Sequence, residues 1–393
     1  MLACWLSVPA ATSPKPIDLV QMPAIASSAS SIFSALAAEA GRVEADFEAE
    51  AAGMCDVYGN GAWIEEFQAQ VAADLGKEAA VFMPTGVCAQ MAALAVHAGL
   101  PLPSRAGLLR PSFLTHPTSH LLLWEENAYS DLLGLTALKA GARSRPLLAA
   151  DVEVELKRLS SVGLAPCCIL IELPWRELGC HATPWDELLK MRALADRYGV
   201  PLHMDGARLL EIAPFYGRPP AEVAALFDSV YISFYKGLGG LSGAMLLGDA
   251  AFVTAAKPWR RRLGGTAYTA LPTALSCRVG YERNRHSFAE RWQWLARLAP
   301  QLAAASKGQV RFEPPEPQCC HAHCYLTGRA EDLAAARDAA LAATGVRVFR
   351  RLRAEGVGDE ARECYFEWVV GPQQLALSEE LVLRAWTAFL EAL

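Results

Sequence analysis

The segment 200–248, VPLHMDGARLLEIAPFYGRPPAEVAALFDSVYISFYKGLGGLSGAMLLG, constrains the fold of this chain more than any other stretch. A short strand, VPLHM, delivers Asp205 at its end, and a helical excursion separates it from a second strand, DSVYISF. Lys236 then opens a glycine-rich loop. Strand, helix and strand in this order predict parallel strands, and Asp205 and Lys236 fall at their carboxyl ends, where ligands bind in such sheets.

The composition narrows the class of protein. The chain has 393 residues, of which 53% are hydrophobic, enough for two domains with sizeable cores. The net charge of -6 argues against nucleic acid or acidic membranes as partners, and no apolar run reaches the length of a membrane span. The 11 cysteines follow no disulfide rhythm and the amino terminus lacks a secretory pattern. We therefore predict a cytoplasmic protein that acts on a small molecule.

Strands and helices alternate over residues 79–248, which predicts a mostly parallel sheet covered by helices. Thr183 is predicted to cap one of these helices, with Pro184 at its first position. A long helical run over residues 274–305 and the proline-rich segment RFEPPEPQ precede a small α+β portion. The predicted division is an N-terminal arm at 1–55, a large domain at 56–275 and a small domain at 276–393.

Two further segments carry candidate site residues. The strand AAVFMP runs into a PTG turn that opens a helix, so the backbone N–H groups of Thr85, Gly86 and Val87 are expected to face an anion. His120 lies just before a helix, where its ring could stack on a planar ligand.

The segment CCHAHC, Cys319 to Cys324, is the one cluster of potential metal ligands. On a strand, alternation places His321 and His323 on one face and Cys320 and Cys324 on the other, so four ligands would not converge. We therefore predict a cysteine-rich strand of the small domain rather than a metal site.

An acid and a lysine spaced like Asp205 and Lys236 suit a pyridoxal phosphate (PLP) enzyme. The lysine holds the cofactor aldehyde as a Schiff base, and the carboxylate keeps the pyridine nitrogen protonated. Together with DVYG and GKEAAVFMPTG, the segments VPLHMDGARL and KGLGG resemble the threonine aldolase and β-eliminating lyase family of PLP enzymes. The resemblance covers about 56–272 and implies an α/β fold of the aspartate aminotransferase type (fold type I), with a small α+β C-terminal domain.

The resemblance also implies roles for individual residues. Lys236 would bind PLP covalently, Asp205 would pair with the pyridinium nitrogen, His120 would stack on the ring, and Gly86 with its neighbours would bind phosphate. Arg208 would bind the substrate carboxylate. Tyr235, just before Lys236, would give a hydroxyl to the phosphate or only pack. Tyr58 would reach across an interface of a homodimer or homotetramer.

The sequence departs from the family at several positions. A family histidine in a stretch like ENTH is replaced within ELPWREL, and candidate substitutes are Arg176, Glu177 and His181. The C-terminal carboxylate-binding arginine is not recognisable, and the candidates for its place are Arg350, Arg351 and Arg362. The run Arg260, Arg261 and Arg262 would reach a neighbouring subunit's phosphate or form a solvated turn.

These features predict a PLP-dependent carbon–carbon lyase that cleaves a β-hydroxy-α-amino acid to glycine and an aldehyde. Trp175 and Trp124 suggest an aromatic pocket for a side chain bulkier than that of threonine. The alternatives are other outcomes of the same α-carbanion, namely β-elimination, racemisation or transamination, and a homologue that binds PLP or an amino acid without turnover.

Overall fold

The computed structural model describes residues 16–20, 28–46, 56–100, 111–354 and 363–393 of the chain. Its strands are β1 (Ile17–Asp18), β2 (Ala79–Met83), β3 (Ser112–Thr115), β4 (Thr136–Lys139), β5 (Ile169–Glu172), β6 (Leu202–Asp205), β7 (Ser229–Ser233), β8 (Ala244–Gly248), β9 (Val310–Glu313), β10 (His321–Thr327), β11 (Val346–Arg347), β12 (Arg353–Ala354) and β13 (Glu363–Val369). Its helices are α1 (Ala29–Asp46), α2 (Ala62–Asp74), α3 (Gly86–His97), α4 (His120–Leu123), α5 (Ala128–Asp131), α6 (Ala149–Ser160), α7 (Trp185–Tyr198), α8 (Leu209–Tyr216), α9 (Pro220–Ala224), α10 (Ala250–Arg262), α11 (Leu271–Asn284), α12 (Phe288–Ala305), α13 (Ala330–Thr344), α14 (Pro372–Leu375) and α15 (Glu379–Glu391).

A seven-stranded sheet in the order β2-β8-β7-β6-β5-β3-β4 forms the centre of the large domain. Strand β8 runs antiparallel to both of its neighbours, and the other pairs are parallel. Every residue of β5, β6 and β7 is buried because helices cover both faces, as expected for parallel strands with continuous apolar runs. The predicted mostly parallel sheet is confirmed.

The carboxyl ends of the central strands meet at one edge of this sheet. Glu172 at the end of β5 is directly opposite Asp205 at the end of β6. The chain reaches Lys236 three residues after β7 ends at Ser233. Parallel pairing thus brings these three charged residues to the same edge, although they are far apart in sequence.

The small domain is built on a four-stranded antiparallel sheet in the order β12-β13-β10-β9. Helices α13 and α15 pack against each other beside it. The predicted small α+β domain is confirmed. Strand β1 of the N-terminal segment pairs in parallel with β11, and α1 packs on α11. The division at residues 55 and 275 stays a prediction; position 275 lies inside α11.

Two local predictions were wrong. The helical run over 274–305 is two helices, because the chain turns between Asn284 and Phe288. Helix α7 begins at Trp185, with Pro184 rather than Thr183 as its N-cap; the Thr183 hydroxyl instead accepts a hydrogen bond from the indole N–H of Trp175. Among the described helices, none combines the length and apolar character needed to cross a bilayer. The cytoplasmic location stays a prediction.

Candidate active site

A cleft of about 860 Å³ lies between the sheet edge of the large domain and the small domain. Four of the residues predicted for the site line it: His120, Arg208, Tyr235 and Lys236. The small domain contributes Glu367 and three arginines, Arg350, Arg351 and Arg353. Six of the 14 residues that line the cleft are arginine or lysine, which suits a small anionic ligand.

Lys236 is the candidate nucleophile of the cleft. Burial and the nearby charge of Arg208, against the opposing effect of Asp205, together lower the pKa of its ammonium group to about 8. The next residue, Gly237, donates its backbone N–H to Glu211 Oε1 at 3.1 Å, and a Cβ at this position would lie 2.5 Å from the same oxygen. A larger residue would therefore disturb the loop that presents Lys236. The lowered pKa makes the free amine of Lys236 more abundant near neutral pH than that of an ordinary lysine.

Asp205 is buried beside the cleft at the end of β6. Its Oδ2 accepts a hydrogen bond from Gln90 Nε2 at 2.7 Å, and its Oδ1 accepts one from the backbone N–H of Ala207 at 3.2 Å. Arg208 does not pair with Asp205; its Nε lies 3.8 Å from Glu211 Oε2. The carboxylate of Asp205 and the guanidinium of Arg208 are therefore separately held.

His120 begins α4 at the rim of the cleft. Its backbone N–H donates to Glu172 Oε2 at 2.7 Å, and its Nδ1 lies 3.2 Å from Glu125 Oε1. Burial and the neighbouring charge of Asp205 raise the pKa of Glu172 to about 7, and burial raises the pKa of Glu125. The sequence analysis missed both acids. Glu172 ends a buried strand just as Asp205 does, and that position was the available signal.

The predicted anion-binding residues lie at the first turn of α3. Thr85 caps this helix by accepting the Cys88 N–H on its Oγ1 at 3.1 Å, and Gly86 and Val87 follow as the first two helical residues. A Cβ on Gly86 would lie within 2.1 Å of the Tyr231 hydroxyl. The glycine thus allows close packing beneath a helix end that suits a phosphate.

The structure does not bring all predicted residues into one cavity. Thr85 lines a separate cavity of about 230 Å³ together with Arg260, whose Nη1 donates to the backbone oxygen of Phe82. Tyr58 lines neither cavity; its ring lies 5.3 Å from that of Tyr268, and Arg261 lies over it at 5.7 Å. Within one chain, Tyr58 therefore lies outside the cleft that Arg208 lines.

The loop after β5 differs from the expectation. Trp175 is fully buried and does not line the cleft, so its predicted place in an aromatic pocket was wrong. Trp124 does line it, and the guanidiniums of Arg176 and Arg353 lie 5.4 Å and 5.8 Å from its ring. Both arginines also contact Glu367, with Arg176 Nε at 3.1 Å from Oε2 and Arg353 Nη2 at 2.9 Å from Oε1.

The candidate substitutes for the missing histidine have other partners. Arg176 is held by Glu367, Glu177 accepts the Trp124 indole N–H at 2.8 Å, and His181 pairs with Glu313. Arg362, a candidate for the C-terminal arginine, lies outside the described residues.

His321, His323 and Glu367 form the one group of potential metal ligands found among the residues that the structure describes, with donor atoms within 4.8 Å of one another. The two histidines share a face of β10, as predicted, and both are buried. However, Glu367 already carries the guanidiniums of Arg176 and Arg353. Two positive charges on the same carboxylate oppose a divalent cation, so we propose no metal site here.

Residues 40–317, more than half of the chain, match the beta-eliminating lyase family. The chain belongs to this family. The cofactor of the family is PLP and its members are PLP-dependent lyases, as predicted from the sequence. The site fits PLP: a lysine of lowered pKa, a buried carboxylate, a histidine at the cleft and a glycine-opened helix end lie along one sheet edge.

Solved structures of similar fold cover nearly the whole of this chain. A protein from Listeria monocytogenes EGD-E, proposed to be an L-allo-threonine aldolase, is 31% identical, with a TM-score of 0.83 over 96% of this chain and 97% of that one. The threonine aldolase of Leishmania major has a TM-score of 0.68 over 95% of this chain and 98% of that one, and at 16% identity it shares the fold alone. The fold type I architecture is thus confirmed.

Curated relatives of the family match over a shorter stretch. The low specificity L-threonine aldolase of Escherichia coli (strain K12) is 28% identical over 53% of this chain and 60% of its own length. The alanine racemase TOXG of Cochliobolus carbonum is 27% identical over 53% of this chain and 52% of its own length. The chain therefore spans little more than half the length of the curated relatives it matches, and these relatives differ in their reactions.

Proposed function

We propose that this lyase cleaves a β-hydroxy-α-amino acid between its α- and β-carbons, giving glycine and an aldehyde. The observation that carries the proposal is the convergence of Lys236, His120 and Arg208 on one cleft, with Asp205 buried beside it. When bound, PLP withdraws electrons from the substrate α-carbon, which permits a bond at this carbon to break.

Each of these side chains has a separate task. Lys236 presents the amine that binds PLP covalently and later accepts or returns a proton. Asp205 would pair its carboxylate with the pyridine nitrogen, and His120 would stack on the ring. Thr85, Gly86 and Val87 would hold the phosphate at the start of α3. Tyr235 packs beside Lys236, whose Nζ is 5.9 Å from its ring centre.

His120 is also the group that we assign to the proton of the substrate β-hydroxyl. Its ring lines the cleft, and Glu125 at 3.2 Å from Nδ1 orients it. The substitutes suggested by the sequence are held in other pairs, so they do not offer a free acceptor. A base must come within hydrogen-bond reach of the hydroxyl proton that it removes.

A panel of β-hydroxy-α-amino acids tests the reaction. Release of glycine together with the matching aldehyde is expected. Release of pyruvate and ammonia would favour β-elimination, loss of optical activity without cleavage would favour racemisation, and formation of a keto acid would favour transamination. A protein that binds PLP and performs none of these would be a homologue without turnover.

Replacement of Arg208 by Lys is expected to raise KM for the amino acid about 10- to 100-fold while kcat changes less, because lysine cannot form the two parallel hydrogen bonds of a guanidinium to a carboxylate. Steady-state kinetics measures this split. Arg192→Lys, which alters an arginine paired with Asp228 away from the cleft, is the control. An unchanged KM would remove Arg208 from substrate binding.

Replacement of His120 by Asn is expected to lower kcat about 100-fold or more, since general base catalysis contributes about 10²- to 10⁴-fold. Glycine release under saturating substrate measures it. His116→Asn alters a buried histidine that bonds Thr118 and serves as the control for loss of an imidazole. Retention of wild-type kcat by the His120 variant would contradict the assignment.

The rate at which PLP attaches to the protein should rise with pH through about 8. The neutral amine is the nucleophile, and a lysine whose pKa is lowered to about 8 is free in about one-tenth of molecules at neutral pH, far more than an ordinary lysine. Stopped-flow absorbance of PLP mixed with PLP-depleted protein measures the rate. A midpoint at the ordinary lysine pKa would contradict the prediction.

We also propose a homodimer or homotetramer in which Tyr58 reaches the site of a neighbouring subunit. Tyr58 and Tyr268 pack edge to face and are both exposed in the single chain, at 44% and 56% of their surface. Light scattering coupled to size exclusion gives the mass in solution, and a fully active monomer would contradict the proposal.

A further inference from the structure

A chain of buried hydrogen bonds runs away from Asp205 into the protein. Gln90 Nε2 donates to Asp205 Oδ2 at 2.7 Å, and Gln90 Oε1 lies 2.8 Å from His203 Nε2. His203 Nδ1 lies 2.7 Å from the hydroxyl of Ser229, which is also 2.7 Å from His97 Nε2. Gln90, His203 and Ser229 are completely buried, and His97 is partly buried. The function proposed above gives no role to these four residues.

The secondary structure explains why these residues meet. Asp205 and His203 are two residues apart on β6 and therefore point to the same face of the sheet. Ser229 on β7 is directly opposite His203. Helix α3 packs against β7, and Gln90 on this helix hydrogen-bonds to both Asp205 and His203. Gln90 and His97 are two turns apart on α3 and so share the side that faces the sheet.

The proton of each hydrogen bond can be placed from the two ends. An ionised carboxylate only accepts, so the amide nitrogen of Gln90 must face Asp205 and its oxygen must accept from His203 Nε2–H. Burial lowers the pKa of His203 far below its ordinary value, so this ring is neutral and its Nδ1 is a bare acceptor. The Ser229 hydroxyl therefore donates to Nδ1 and accepts from His97 Nε2–H. Burial also lowers the pKa of His97 to about 4, which leaves this ring neutral as well.

All four hydrogen bonds thus donate in one direction, toward Asp205. We propose that Gln90, His203, Ser229 and His97 are positioning residues that act through Asp205 and keep the proton of the cofactor ring on the pyridine nitrogen. The proposal rests on the function proposed above, in which Asp205 faces that nitrogen.

The physical effect follows from competition for the carboxylate. A donor on Asp205 Oδ2 stabilises the negative charge, so the carboxylate is a weaker acceptor for the ring proton shared with it. Successive hydrogen bonds of the same direction polarise one another and strengthen this donation. The chain also fixes the orientation of the carboxylate, because Gln90 itself is held by His203.

Charged groups surround both ends of this hydrogen-bond chain. Glu125, Glu172 and Lys236 interact electrostatically with Asp205, and Arg208 acts on Lys236. Asp228 and Asp249 act on His97. Burial raises the pKa of Glu172 to about 7, so it titrates near neutrality. Measurements on the ring nitrogen are therefore compared at one fixed pH well above this value.

The first test uses the PLP-free protein, with ¹⁵N-labelled histidine and signals assigned from variants that each lack one histidine. We expect His203 and His97 to be neutral, with the proton on Nε2 in both. A proton on Nδ1 of His203, or a charged His203 ring at neutral pH, would reverse the hydrogen-bond direction and overturn the proposal. This result does not depend on what PLP does in the protein.

The second test uses the holoenzyme loaded with PLP that carries ¹⁵N in its ring. In Gln90→Leu, the ring-nitrogen resonance should move from the protonated toward the unprotonated position, and the Kd of PLP should rise about 10-fold. Ser229→Ala should shift both in the same direction by a smaller amount, about threefold in Kd, because it lies two hydrogen bonds further away. It also serves if Gln90→Leu does not fold.

The matched control is Gln374→Leu, the same change at a fully buried glutamine of the small domain that bonds Gly371. It should lower stability without moving the ring-nitrogen resonance. Resonances unchanged in both network variants would overturn the positioning role. Failure of the wild-type protein to bind PLP at Lys236 would overturn the proposed function and this role with it, and the histidine protons in the PLP-free protein would distinguish that case from a wrong hydrogen-bond order.

Discussion

Replacement of Lys236 by Ala is expected to abolish covalent attachment of PLP. The amine is the only part of the side chain that can bond to the cofactor aldehyde, and Lys236 lines the cleft with a lowered pKa. Treatment with borohydride followed by intact mass measurement shows the attachment directly. The wild-type chain should carry one reduced PLP group and the variant none, with loss of all amino-acid turnover.

The control for this result is Lys257→Ala, which removes an exposed lysine from α10. It should keep the mass increment and the activity. A Lys236 variant that still carries reduced PLP at wild-type stoichiometry would show that another lysine is the attachment site, and the assignment of the cleft would be wrong.

Replacement of Asp205 by Asn is expected to lower kcat about 10²- to 10³-fold while Lys236 still attaches PLP. The amide has nearly the same size and removes only the negative charge that we propose pairs with the ring nitrogen. Loss of one such electrostatic contact costs about this factor. The measurement pairs glycine release with the borohydride mass assay on the same sample. Retained attachment with lost turnover distinguishes loss of charge from loss of the fold.

Asp151→Asn is the matched control for Asp205. Asp151 is also a hydrogen-bonded carboxylate near the end of an element, where it accepts from Arg145 at 2.7 Å, but it lies outside the cleft. The variant should lose some stability and little activity. Equal losses of kcat in the two variants would mean that Asp205 acts only by supporting the fold.

The strands, and the candidate site residues at their ends, could be predicted from the sequence for a simple reason. The buried strands have continuous apolar runs, and the ends of β6 and β7 are marked by Asp205 and by the glycine loop at Lys236. Parallel strands have their carboxyl ends at one edge, so these positions predict a common site without any coordinates. The shared face of His321 and His323 on β10 followed in the same way from the two-residue period of a strand.

Contacts between distant segments were not accessible in this way. Trp175 and Arg176 are adjacent, yet the first is buried on Thr183 and the second lines the cleft and contacts Glu367. Glu367 comes from a strand of the small domain, far away in sequence, and no local pattern indicates that pairing. The expectation for Trp175 was wrong because the turn after β5, rather than residue type, decides which side chain faces the ligand.

The sequence by itself determined the fold class, the cofactor and a short list of candidate site residues, because these depend on local periodicity and on charged residues at strand ends. Only the tertiary structure decided which of them meet. Parallel pairing puts Glu172 beside Asp205, burial sets the pKa of Lys236 and of Glu172, and the packing of α3 on the sheet connects Gln90 to Asp205. Desolvation and hydrogen-bond direction depend on neighbours from several elements at once, and for that reason they arise only when the chain is folded.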